Sequence, residues 1–484
     1  MNYQNKSLTL HSKTDNKNDM KKQLLTIAWV CLLSLPASAQ GFETATEAVR
    51  NMKVGWNLGN TLDCHSDNIN NMWIEAWTNR TPSDYETAWK QTVTKSQLFT
   101  MFKEAGFNAI RIPVTWYPHM EAKFQYSQLK WDPETNSIGT KIQAAWMKRV
   151  HEVVDYVISQ GMYCILNVHH DTGAANTAWL IASGENYNKQ KERFEAVWKQ
   201  IAEEFKDYGD HLLFEGYNEM LDKYKSWCFA SFGSPANYNA SDAADAYKAI
   251  NNYAQSFINA VRATGGNNAQ RNLIVNTYGS CSGGGTWNTH LKDPLKEMKY
   301  PTDAAGPGHI IFQVHTYPAL VENNKNRPIS SIQNEVNDMV SAWKTHLVSK
   351  GAPVIVGEWG TSNVDEEVTD YDARRPLMLQ FVEYFVKRCK DNDITTFYWM
   401  GLSDGSHRSV PEFNQPDLKD AIIKGYYGEG GYTSVKGIKS VPFDPTQRME
   451  AQERTTAIHD LQGRAVKNPR KGIYLRKGMK YVVR

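Results

Sequence analysis

The sequence is poor in cysteine, with six among 484 residues, and none of them has the CxxC spacing that is typical of zinc and redox sites. Cys31 falls in a predicted leader. The other five are Cys64, Cys164, Cys228, Cys281 and Cys389. An odd number without paired spacing argues against a disulfide framework and against a zinc site. One bridge between loop cysteines stays open if the chain folds in an oxidising compartment.

The sequence also lacks an excess of charge of either sign. Lysine and arginine number 54 against 52 acidic residues, which leaves a formal net charge of +2. Proteins that bind nucleic acid or anionic membranes rely on a concentrated positive surface. The balance therefore predicts that neither nucleic acid nor an anionic membrane is a partner.

Long hydrophobic runs are missing as well. The apolar run at residues 24–35 is shorter than the roughly 20 residues that a transmembrane helix needs. Two lysines precede it, and Ala-Ser-Ala at residues 37–39 follows, which is the pattern of a secretory signal peptide. We expect residues 1–39 to be a leader with Met20 as the true start. The mature protein would then have no membrane span and would be secreted, periplasmic or bound at the cell surface. A buried first helix is the alternative.

The C-terminal part has a different character from the rest. Residues 433–484 begin with a polar stretch of poor periodicity, which is typical of a linker. Short alternating segments punctuated by glycine follow, around residues 457–461, 472–475 and 479–483. They predict a small β-rich tail. This tail resembles the C-terminal secretion-sorting segments of Bacteroidetes-type proteins, and a hairpin packed on the main domain is the alternative.

Residues 41–432 alternate short apolar strands with longer amphipathic helices. Eight strands are predicted, at residues 53–57, 109–113, 163–168, 212–217, 272–276, 310–315, 353–357 and 396–400. Several are almost continuously apolar, as expected of parallel strands that are buried on both faces. Eight strands with helices between them favour an α/β fold, a (β/α)8 TIM barrel.

An open doubly wound sheet is the alternative to the barrel. That fold carries a glycine-rich phosphate turn after its first strand. Residues 55–60, Gly-Trp-Asn-Leu-Gly-Asn, contain glycines but not at that spacing. The barrel is therefore the preferred architecture.

Local signals predict two helix boundaries. Within residues 141–160 apolar side chains recur every three or four residues, and Gly161 stands where that helix should stop. Residues 94–97, Thr-Lys-Ser-Gln, match a capping box at the start of another helix. Gly106 would end it.

Polar side chains collect where the predicted strands end, and this edge of a TIM barrel carries the active site. Six of the eight strands deliver such groups, which are Arg111, His169, His170, Asp171, Asn218, Glu219, His315, Tyr317, Glu358 and Trp399. If these residues were merely structural, most of the charges would lie on helix faces instead. The pattern predicts a functional site at the carboxyl ends of the strands.

Two glutamates stand out among these residues. Glu219 follows the fourth predicted strand and Glu358 follows the seventh, so the two face one another across the barrel mouth. Each alone would be weak evidence, because a carboxylate beyond a strand is often only a charge at a helix N-terminus. Glycosidic cleavage needs such a pair. One carboxyl donates a proton to the leaving oxygen, and the other is ionised and attacks the anomeric carbon or activates water.

A metal site is the competing interpretation of His169, His170, Asp171 and His315. A metallohydrolase barrel would typically carry two histidines separated by one residue on its first strand. Nothing of that kind occurs near Trp56. Metal-dependent catalysis is therefore disfavoured, and no metal ligand is assigned.

Seven motifs resemble glycoside hydrolase family 5 of the clan-A retaining glycosidases. In chain order they are GWNLGNTLD, FNAIRIPVTW, YCILNVHHD, LLFEGYNEM, HTYPA, PVIVGEWG and FYWMG. The resemblance covers about residues 41–430. It implies an endo-acting hydrolase of β-1,4-linked glucan that works by retaining double displacement and requires no cofactor. A retaining mechanism in turn predicts carboxyl groups about 5–5.5 Å apart.

The same resemblance implies a role for each residue of the site. Glu219 would be the acid/base and Glu358 the nucleophile. Arg111 and Tyr317 would hold Glu358, with Arg111 keeping it ionised. Asn218 would bind the sugar 2-hydroxyl. The rest of the predicted substrate-binding set is Asn57, His169, His170, His315 and Trp399.

The sequence departs from the family pattern at two positions. Met220 follows Glu219 where the family usually has proline, and Trp359 follows Glu358 where phenylalanine is frequent. Neither change alters a reacting group, but both leave the substrate open. Substrate choice depends on loop shape and on contacts to single hydroxyls, so β-glucan is preferred while mannan and xyloglucan remain alternatives. A non-catalytic carbohydrate-binding barrel is disfavoured, because such proteins commonly lose one of the two carboxylates.

Three tryptophans fall in loops predicted at the barrel mouth, and they are Trp77, Trp116 and Trp179. Each either adds a sugar-binding subsite or packs in the core, since large aromatic side chains serve both purposes.

Overall fold

The computed structural model describes residues 41–122, 138–227, 240–283, 294–323, 325–361, 371–399, 401–433, 458–459, 472–476 and 479–483. The chain divides into two units, Met1–Glu43 and Thr44–Arg484. The predicted leader, most of the predicted linker and Cys228 lie outside the described residues.

The strands of the described residues, in chain order, are β1 (Val54–Asn57), β2 (Ala109–Ile112), β3 (Met120–Ala122), β4 (Ile138–Ile142), β5 (Tyr163–Asn167), β6 (Leu212–Glu215), β7 (Leu273–Cys281), β8 (Ile310–Thr316), β9 (Val321–Glu322), β10 (Lys325–Asn326), β11 (Val354–Trp359), β12 (Thr395–Trp399), β13 (Ile458–His459), β14 (Gly472–Arg476) and β15 (Met479–Val483). The α-helices are α1 (Ala45–Met52), α2 (Trp73–Trp77), α3 (Pro82–Glu86), α4 (Ser96–Glu104), α5 (Ala144–Ile158), α6 (Gly184–Glu204), α7 (Ala240–Arg262), α8 (Pro294–Glu297), α9 (Ile329–His346), α10 (Tyr371–Lys390) and α11 (Pro416–Tyr427).

Eight parallel strands close into a barrel in the order β1-β12-β11-β8-β7-β6-β5-β2. This confirms the predicted TIM barrel, and every predicted barrel strand overlaps an observed one. The largest difference is β7, which continues to Cys281 rather than ending at Asn276. The register of β7 against β8 shifts between these two residues, so this part of the strand is irregular. It lacks an apolar pattern from which the sequence could predict it.

The two predicted helix boundaries have different outcomes. Helix α5 lies inside the predicted span, while the residues before it form β4. The predicted capping box is wrong, because α4 begins at Ser96 with Lys95 as N-cap and no side-chain capping bond. Thr94 lies one residue outside that position, and its backbone N–H donates instead to the Glu86 carboxylate at 2.6 Å.

The bottom of the barrel is an apolar plug. Helix α1 packs its buried face against inward-pointing strand residues, which are Ala109, Tyr163, Ile165, Leu213, Ile274, Ile311, Ile355 and Phe397. Since side chains alternate along a strand, the residue two positions further on also points inward. At that level the interior turns polar, and the residues concerned are Asn57, Arg111, Asn167, Glu215, Asn276 and Gln313. We call this second set the polar layer, and it lies directly beneath the barrel mouth.

Two glycines make room for large side chains inside the barrel. A Cβ on Gly55 would come within 2.2 Å of the Phe397 ring, and a Cβ on Gly357 would come within 2.3 Å of the Gln313 amide. At each of these positions, the side chain of the opposing residue occupies the space that a Cβ would need. The small residues in β1 and β11 allow the apolar plug and the polar layer to pack at native density.

A β-bulge at Gly357 determines where Glu358 points. Val356 pairs with Val314 of β8, and the next paired residue of β11 is Glu358, opposite His315. Gly357 is thus the extra residue, as is usual for a bulge that re-aims a side chain beside a site. Strict alternation from Ile355 would have turned Glu358 outward. With the bulge, Glu358 points inward and Trp359 packs on Phe385 in the helix layer, with ring centroids 4.5 Å apart.

The cysteines and loop tryptophans are mostly buried. The four described cysteines, Cys64, Cys164, Cys281 and Cys389, are buried free thiols. Trp116 and Trp179 are also fully buried and donate their indole N–H groups to Asn167 O and Asp171 Oδ1, so they belong to the core and not to sugar subsites. Trp77 is 83% exposed.

The C-terminal strands β13, β14 and β15 form a three-stranded antiparallel sheet, which agrees with the predicted β-rich tail. Among the described residues, no helix combines the length and the apolar character that crossing a bilayer requires.

The Gly55→Ala variant tests the packing of the apolar plug. The added methyl overlaps Phe397, and overpacking of a barrel interior typically costs about 1–3 kcal/mol. We expect a lower free energy of unfolding by denaturant. Gly209→Ala is the matched control, because a Cβ there meets nothing within 4 Å. Equal stability of the two variants would contradict this packing.

Candidate active site

Arg111 lies in the polar layer and is fully buried. Its Nε and Nη2 donate to the two oxygens of Glu215 at 2.6 and 2.7 Å. Nη1 donates to Glu358 Oε1 at 2.7 Å and to Asn57 Oδ1 at 3.0 Å. Nη2 also donates to Asn218 Oδ1 at 2.7 Å. All five N–H groups of the guanidinium are therefore used, and its charge is shared by two carboxylates.

Glu358 is held from both sides. Arg111 contacts Oε1, and the Tyr317 hydroxyl donates to Oε2 at 2.8 Å. Burial raises the pKa of Glu358, while the charge and hydrogen bond of Arg111 and the hydrogen bond of Tyr317 act in the opposite direction. These two partners fix the carboxylate in one orientation and favour its ionised form.

Glu219 has no arginine or lysine partner of its own among the described residues. His315 Nδ1 lies 2.8 Å from its Oε1. Burial raises the pKa of Glu219 well above the usual range, and the nearby charges of Glu358 and Glu215 raise it further, against the opposing effect of Arg111. Of the two carboxyls, Glu219 is therefore the one whose protonated form the surroundings favour more strongly. Two carboxyls with separated proton affinities are what acid and nucleophile roles require.

The two glutamates lie close enough to act on one bond. An oxygen of Glu219, a nitrogen of His315 and an oxygen of Glu358 all lie within 4.8 Å of one another. His315 is the bridge, since its Nδ1 is also 3.6 Å from Glu358 Oε2. The pair predicted from the strand ends is thus brought together at the barrel mouth.

His169 lies beside the nucleophile candidate. Its Nδ1 is 3.0 Å from Asn167 Nδ2, and its Nε2 is 3.9 Å from Glu358 Oε1. Asn167 Oδ1 accepts from the Val114 N–H, so the amide nitrogen faces His169 and donates. Asn218 Nδ2 lies 3.5 Å from Nε2, so both ring nitrogens of His169 face an amide nitrogen. Burial lowers the pKa of His169 well below the usual range, and nearby positive charge adds to this effect.

His170 takes a different direction. Its Nε2 is 3.8 Å from Asp63 Oδ2, and its ring lies 4.6 Å from that of His65. Burial lowers the pKa of His170 well below the usual range and raises the pKa of Asp63 to about 6. His170 therefore packs against the loop that follows β1.

Trp399 stands at the end of β12 and is partly exposed. Its indole is stacked with the His169 ring at a centroid distance of 5.7 Å and an interplanar angle of 5°. Gly59 lies against the indole, and a Cβ on this glycine would come within 3.0 Å of it. This arrangement leaves a flat aromatic surface at the mouth.

The predicted substrate contact of Asn57 is corrected by the structure. Asn57 is fully buried, and its Nδ2 donates to Gly357 O at 2.9 Å and to Phe397 O at 3.2 Å. Its Oδ1 accepts from Arg111. Both ends of the amide are satisfied by protein, so Asn57 positions Arg111 and the bulge and does not face a sugar.

Sequence reasoning missed the acid that pairs with Arg111. Glu215 accepts two bonds from Arg111 and one each from Asn167 and Asn276, both at 3.2 Å. Glu215 lies within the predicted apolar strand at residues 212–217. A charged residue in a strand buried on both faces needs a partner inside the barrel, and this was the available signal.

Within the part of the chain that the structure describes, two clusters have the residue types of metal ligands. They are Asp63 with His169 and His170, and Glu219 with His315 and Glu358. In the first, both Asp63 oxygens already accept backbone N–H groups, from Asn60 at 3.1 Å and from Thr61 at 2.6 Å. The second is the glutamate pair itself. Asp171 is another residue of the metal hypothesis. Its carboxylate accepts from the Trp116 and Tyr117 backbone N–H groups at 2.8 and 2.9 Å. The donor set therefore fits acid–base chemistry better than metal binding.

The Tyr317→Phe variant tests the role of the hydroxyl at Glu358. Its hydrogen bond stabilises the carboxylate, so its loss should raise the pKa of Glu358. A hydrogen bond to a charged group is worth about 1.5–3 kcal/mol. One pKa unit is about 1.4 kcal/mol, so the acid limb of kcat/KM should move by about one unit to higher pH.

The control is Tyr384→Phe, which removes a hydroxyl that donates to Asn337 Oδ1 on the outer helices. It should leave both limbs unchanged. An acid limb that does not move in Tyr317→Phe would show that Glu358 is not the group that must be ionised.

The sequence and the fold are similar to those of known proteins. The family profile described as Cellulase (glycosyl hydrolase family 5) matches residues 71–404. Endoglucanase B of Neocallimastix patriciarum is 32% identical over 416 residues, which is 84% of this chain and 76% of the relative. Endoglucanase A of Ruminococcus albus is 32% identical over 348 residues, which is 70% of this chain and 80% of the relative.

Solved structures give the same result. A GH5-4 broad-specificity endoglucanase from an uncultured bacterium is 54% identical, with a TM-score of 0.71, over 81% of this chain and 98% of the other. A glycoside hydrolase family 5 enzyme from Prevotella bryantii, in complex with a xyloglucan tetradecasaccharide, is 39% identical with a TM-score of 0.66, over 80% and 99% of the two chains. The chain therefore belongs to glycosyl hydrolase family 5 and is a glycoside hydrolase of the endoglucanase type.

Proposed function

We propose that the protein is a secreted endo-β-1,4-glucanase that acts by retaining double displacement, with Glu219 as acid/base and Glu358 as nucleophile. The observation that supports this most directly is the spacing of the pair, since an oxygen of each carboxyl lies within 4.8 Å of an oxygen of the other. Retaining enzymes hold their carboxyls about 5–5.5 Å apart, whereas inverting enzymes leave about 6.5–9.5 Å for a water molecule.

In the first step the proton of Glu219 passes to the glycosidic oxygen while a Glu358 oxygen attacks the anomeric carbon. The bond to the leaving sugar breaks, and a glycosyl ester forms on Glu358. Arg111 and Tyr317 orient the attacking carboxylate before the reaction, so little reorganisation is required. Asn218, fixed through its Oδ1 by Arg111, is available to bind the sugar 2-hydroxyl through its amide nitrogen.

In the second step the Glu219 carboxylate takes a proton from water, which attacks the anomeric carbon and releases Glu358. The same residue serves as acid and then as base because loss of its proton in the first step prepares it for the second. The net result is hydrolysis with the β configuration retained.

β-Glucan is the substrate class that we propose, bound as polysaccharide or oligosaccharide. Trp399 offers an aromatic surface of the kind on which sugar rings stack. A related structure contains xyloglucan, and another, from Ruminococcus champanellensis, contains cellotriose. Xyloglucan is therefore the second candidate. An enzyme that accepts it must leave room at the barrel mouth for the side-chain sugars of this polysaccharide.

We also propose that residues 1–39 are removed on export through the membrane and that residues 433–484 are a linker and sorting tail. The signal-peptide pattern and the sheet of β13–β15 support this division. Mass spectrometry of the exported protein tests both ends, and an intact leader would contradict the proposal.

The Glu358→Ala variant should lose turnover of soluble β-glucan by a factor on the order of 10⁴ or more, because no other group can form the glycosyl ester. Reducing-end release is the measurement, and circular dichroism checks the fold. Glu322→Ala is the matched control, since that glutamate is exposed on the β9–β10 hairpin. Substantial activity in Glu358→Ala would exclude Glu358 as nucleophile.

A panel of barley glucan, carboxymethylcellulose, xyloglucan and mannan should rank the substrates. We expect the highest kcat/KM on a glucan backbone and cleavage within the chain rather than from its end. The size distribution of early products is the measurement. A preference for mannan, or release of single sugars from chain ends, would contradict the proposed substrate class.

A further inference from the structure

Gln313 lies in the polar layer, directly beneath His315 on the same strand. Its side chain is fully buried, and its Nε2 lies 3.2 Å from His315 Nε2. The amide fills the space that Gly357 leaves empty, because a Cβ there would come within 2.3–2.6 Å of the amide atoms. Packing at the bulge therefore keeps the amide against the imidazole.

His315 is a neutral imidazole in this environment. Burial lowers its pKa well below the usual range, and the charge of Arg111 lowers it further. Among the described residues, the other titratable groups around it are Glu219 and Glu358, which it contacts, and His169, with which it interacts electrostatically. A neutral imidazole has one nitrogen that donates and one that accepts. An amide nitrogen can only donate, so His315 Nε2 accepts from Gln313 and the proton sits on Nδ1.

The opposite orientation of the amide is less favourable. In that orientation Oε1 would face the imidazole, and the amide nitrogen would lose the imidazole nitrogen as its hydrogen-bond acceptor. In the observed orientation Oε1 of Gln313 is the atom without a hydrogen-bond partner among the described residues. An under-satisfied carbonyl is tolerated more often than an orphaned N–H.

The tautomer has a direct consequence for Glu219. His315 Nδ1–H donates to Glu219 Oε1 at 2.8 Å, so Oε1 is occupied as an acceptor. The carbonyl oxygen of a carboxylic acid is a stronger acceptor than its hydroxyl oxygen, so this bond favours the proton on Oε2, the oxygen that His315 leaves free. After the proton has left, the same N–H stabilises the carboxylate that remains.

We propose that Gln313 is a positioning residue that selects the Nδ1–H tautomer of His315 and thereby places the transferable proton of Glu219 on Oε2. The catalytic consequence rests on the proposed function, whereas the tautomer does not. With the Nε2–H tautomer, the Nδ1 lone pair would face Glu219 Oε1 and draw the acid proton toward His315, away from the glycosidic oxygen.

The tautomer can be measured on the intact protein by two-bond ¹⁵N–¹H correlation with labelled histidine. We expect the His315 signal, assigned by its absence in His315→Gln, to show a protonated Nδ1 and an unprotonated Nε2. In Gln313→Met the donor is gone while the side chain keeps a similar size, so the signal should move toward Nε2–H. The value of kcat should fall about tenfold to a hundredfold, a part of the 10²–10⁴-fold that general acid catalysis contributes, with less effect on KM.

Gln190→Met is the matched control, because Gln190 is a buried glutamine on α6, away from the site. It should change neither the spectrum nor kcat. Gln313→Glu keeps the shape of the side chain but offers an acceptor, so it should give Nε2–H, and it provides the same test if Gln313→Met does not fold.

An Nε2–H signal in the wild-type protein, or an unchanged Nδ1–H signal in the folded Gln313 variants, would overturn the proposal. These outcomes are independent of activity. An inactive protein with the expected Nδ1–H signal would contradict the proposed function and leave the tautomer assignment intact.

Discussion

The guanidinium of Arg111 is the group on which the rest of the site depends. It is fully buried and binds Glu215 with two N–H groups and Glu358 with a third. Without it, two carboxylates would lie unpaired in the barrel, and breaking a buried pair in this way typically costs about 3–5 kcal/mol. Because Glu215 takes part of the positive charge, Arg111 orients Glu358 without drawing the proton off Glu219. One cation thus acts differently on the two carboxyls that we propose as the reacting groups, since it bonds Glu358 directly and does not bond Glu219.

The barrel produces this arrangement because side chains alternate between its inside and its outside along each strand, and because a β-bulge in β11 interrupts the alternation. Apolar residues form the plug, and polar residues two positions later form the layer that holds Arg111. The bulge at Gly357 then turns Glu358 inward, opposite His315. The same glycine admits the Gln313 amide. The strand that presents the nucleophile candidate therefore also fixes the imidazole beside the acid.

The sequence was sufficient for the barrel and for the pair of glutamates, because apolar runs followed by polar residues mark strand ends. It was not sufficient for side-chain direction. Strict alternation along β11 would turn Glu358 outward, and only the observed register reveals the bulge. Glu215 stands inside an apolar run that gives no sign of its role, and the predicted substrate contact of Asn57 is wrong because both ends of its amide bond protein. Such assignments depend on what lies across the barrel, which a linear pattern does not contain.

The central claim is that Arg111 and Tyr317 prepare Glu358, and no other carboxylate, to form the glycosyl ester. The most direct test is to incubate the enzyme with an activated 2-deoxy-2-fluoro cello-oligosaccharide, which slows the second step, and to locate the label by peptide mass spectrometry. The account predicts one sugar unit on the peptide that carries Glu358. Labelling of Glu219 or Glu215, or an active enzyme that gives no adduct and releases the inverted anomer, would contradict it.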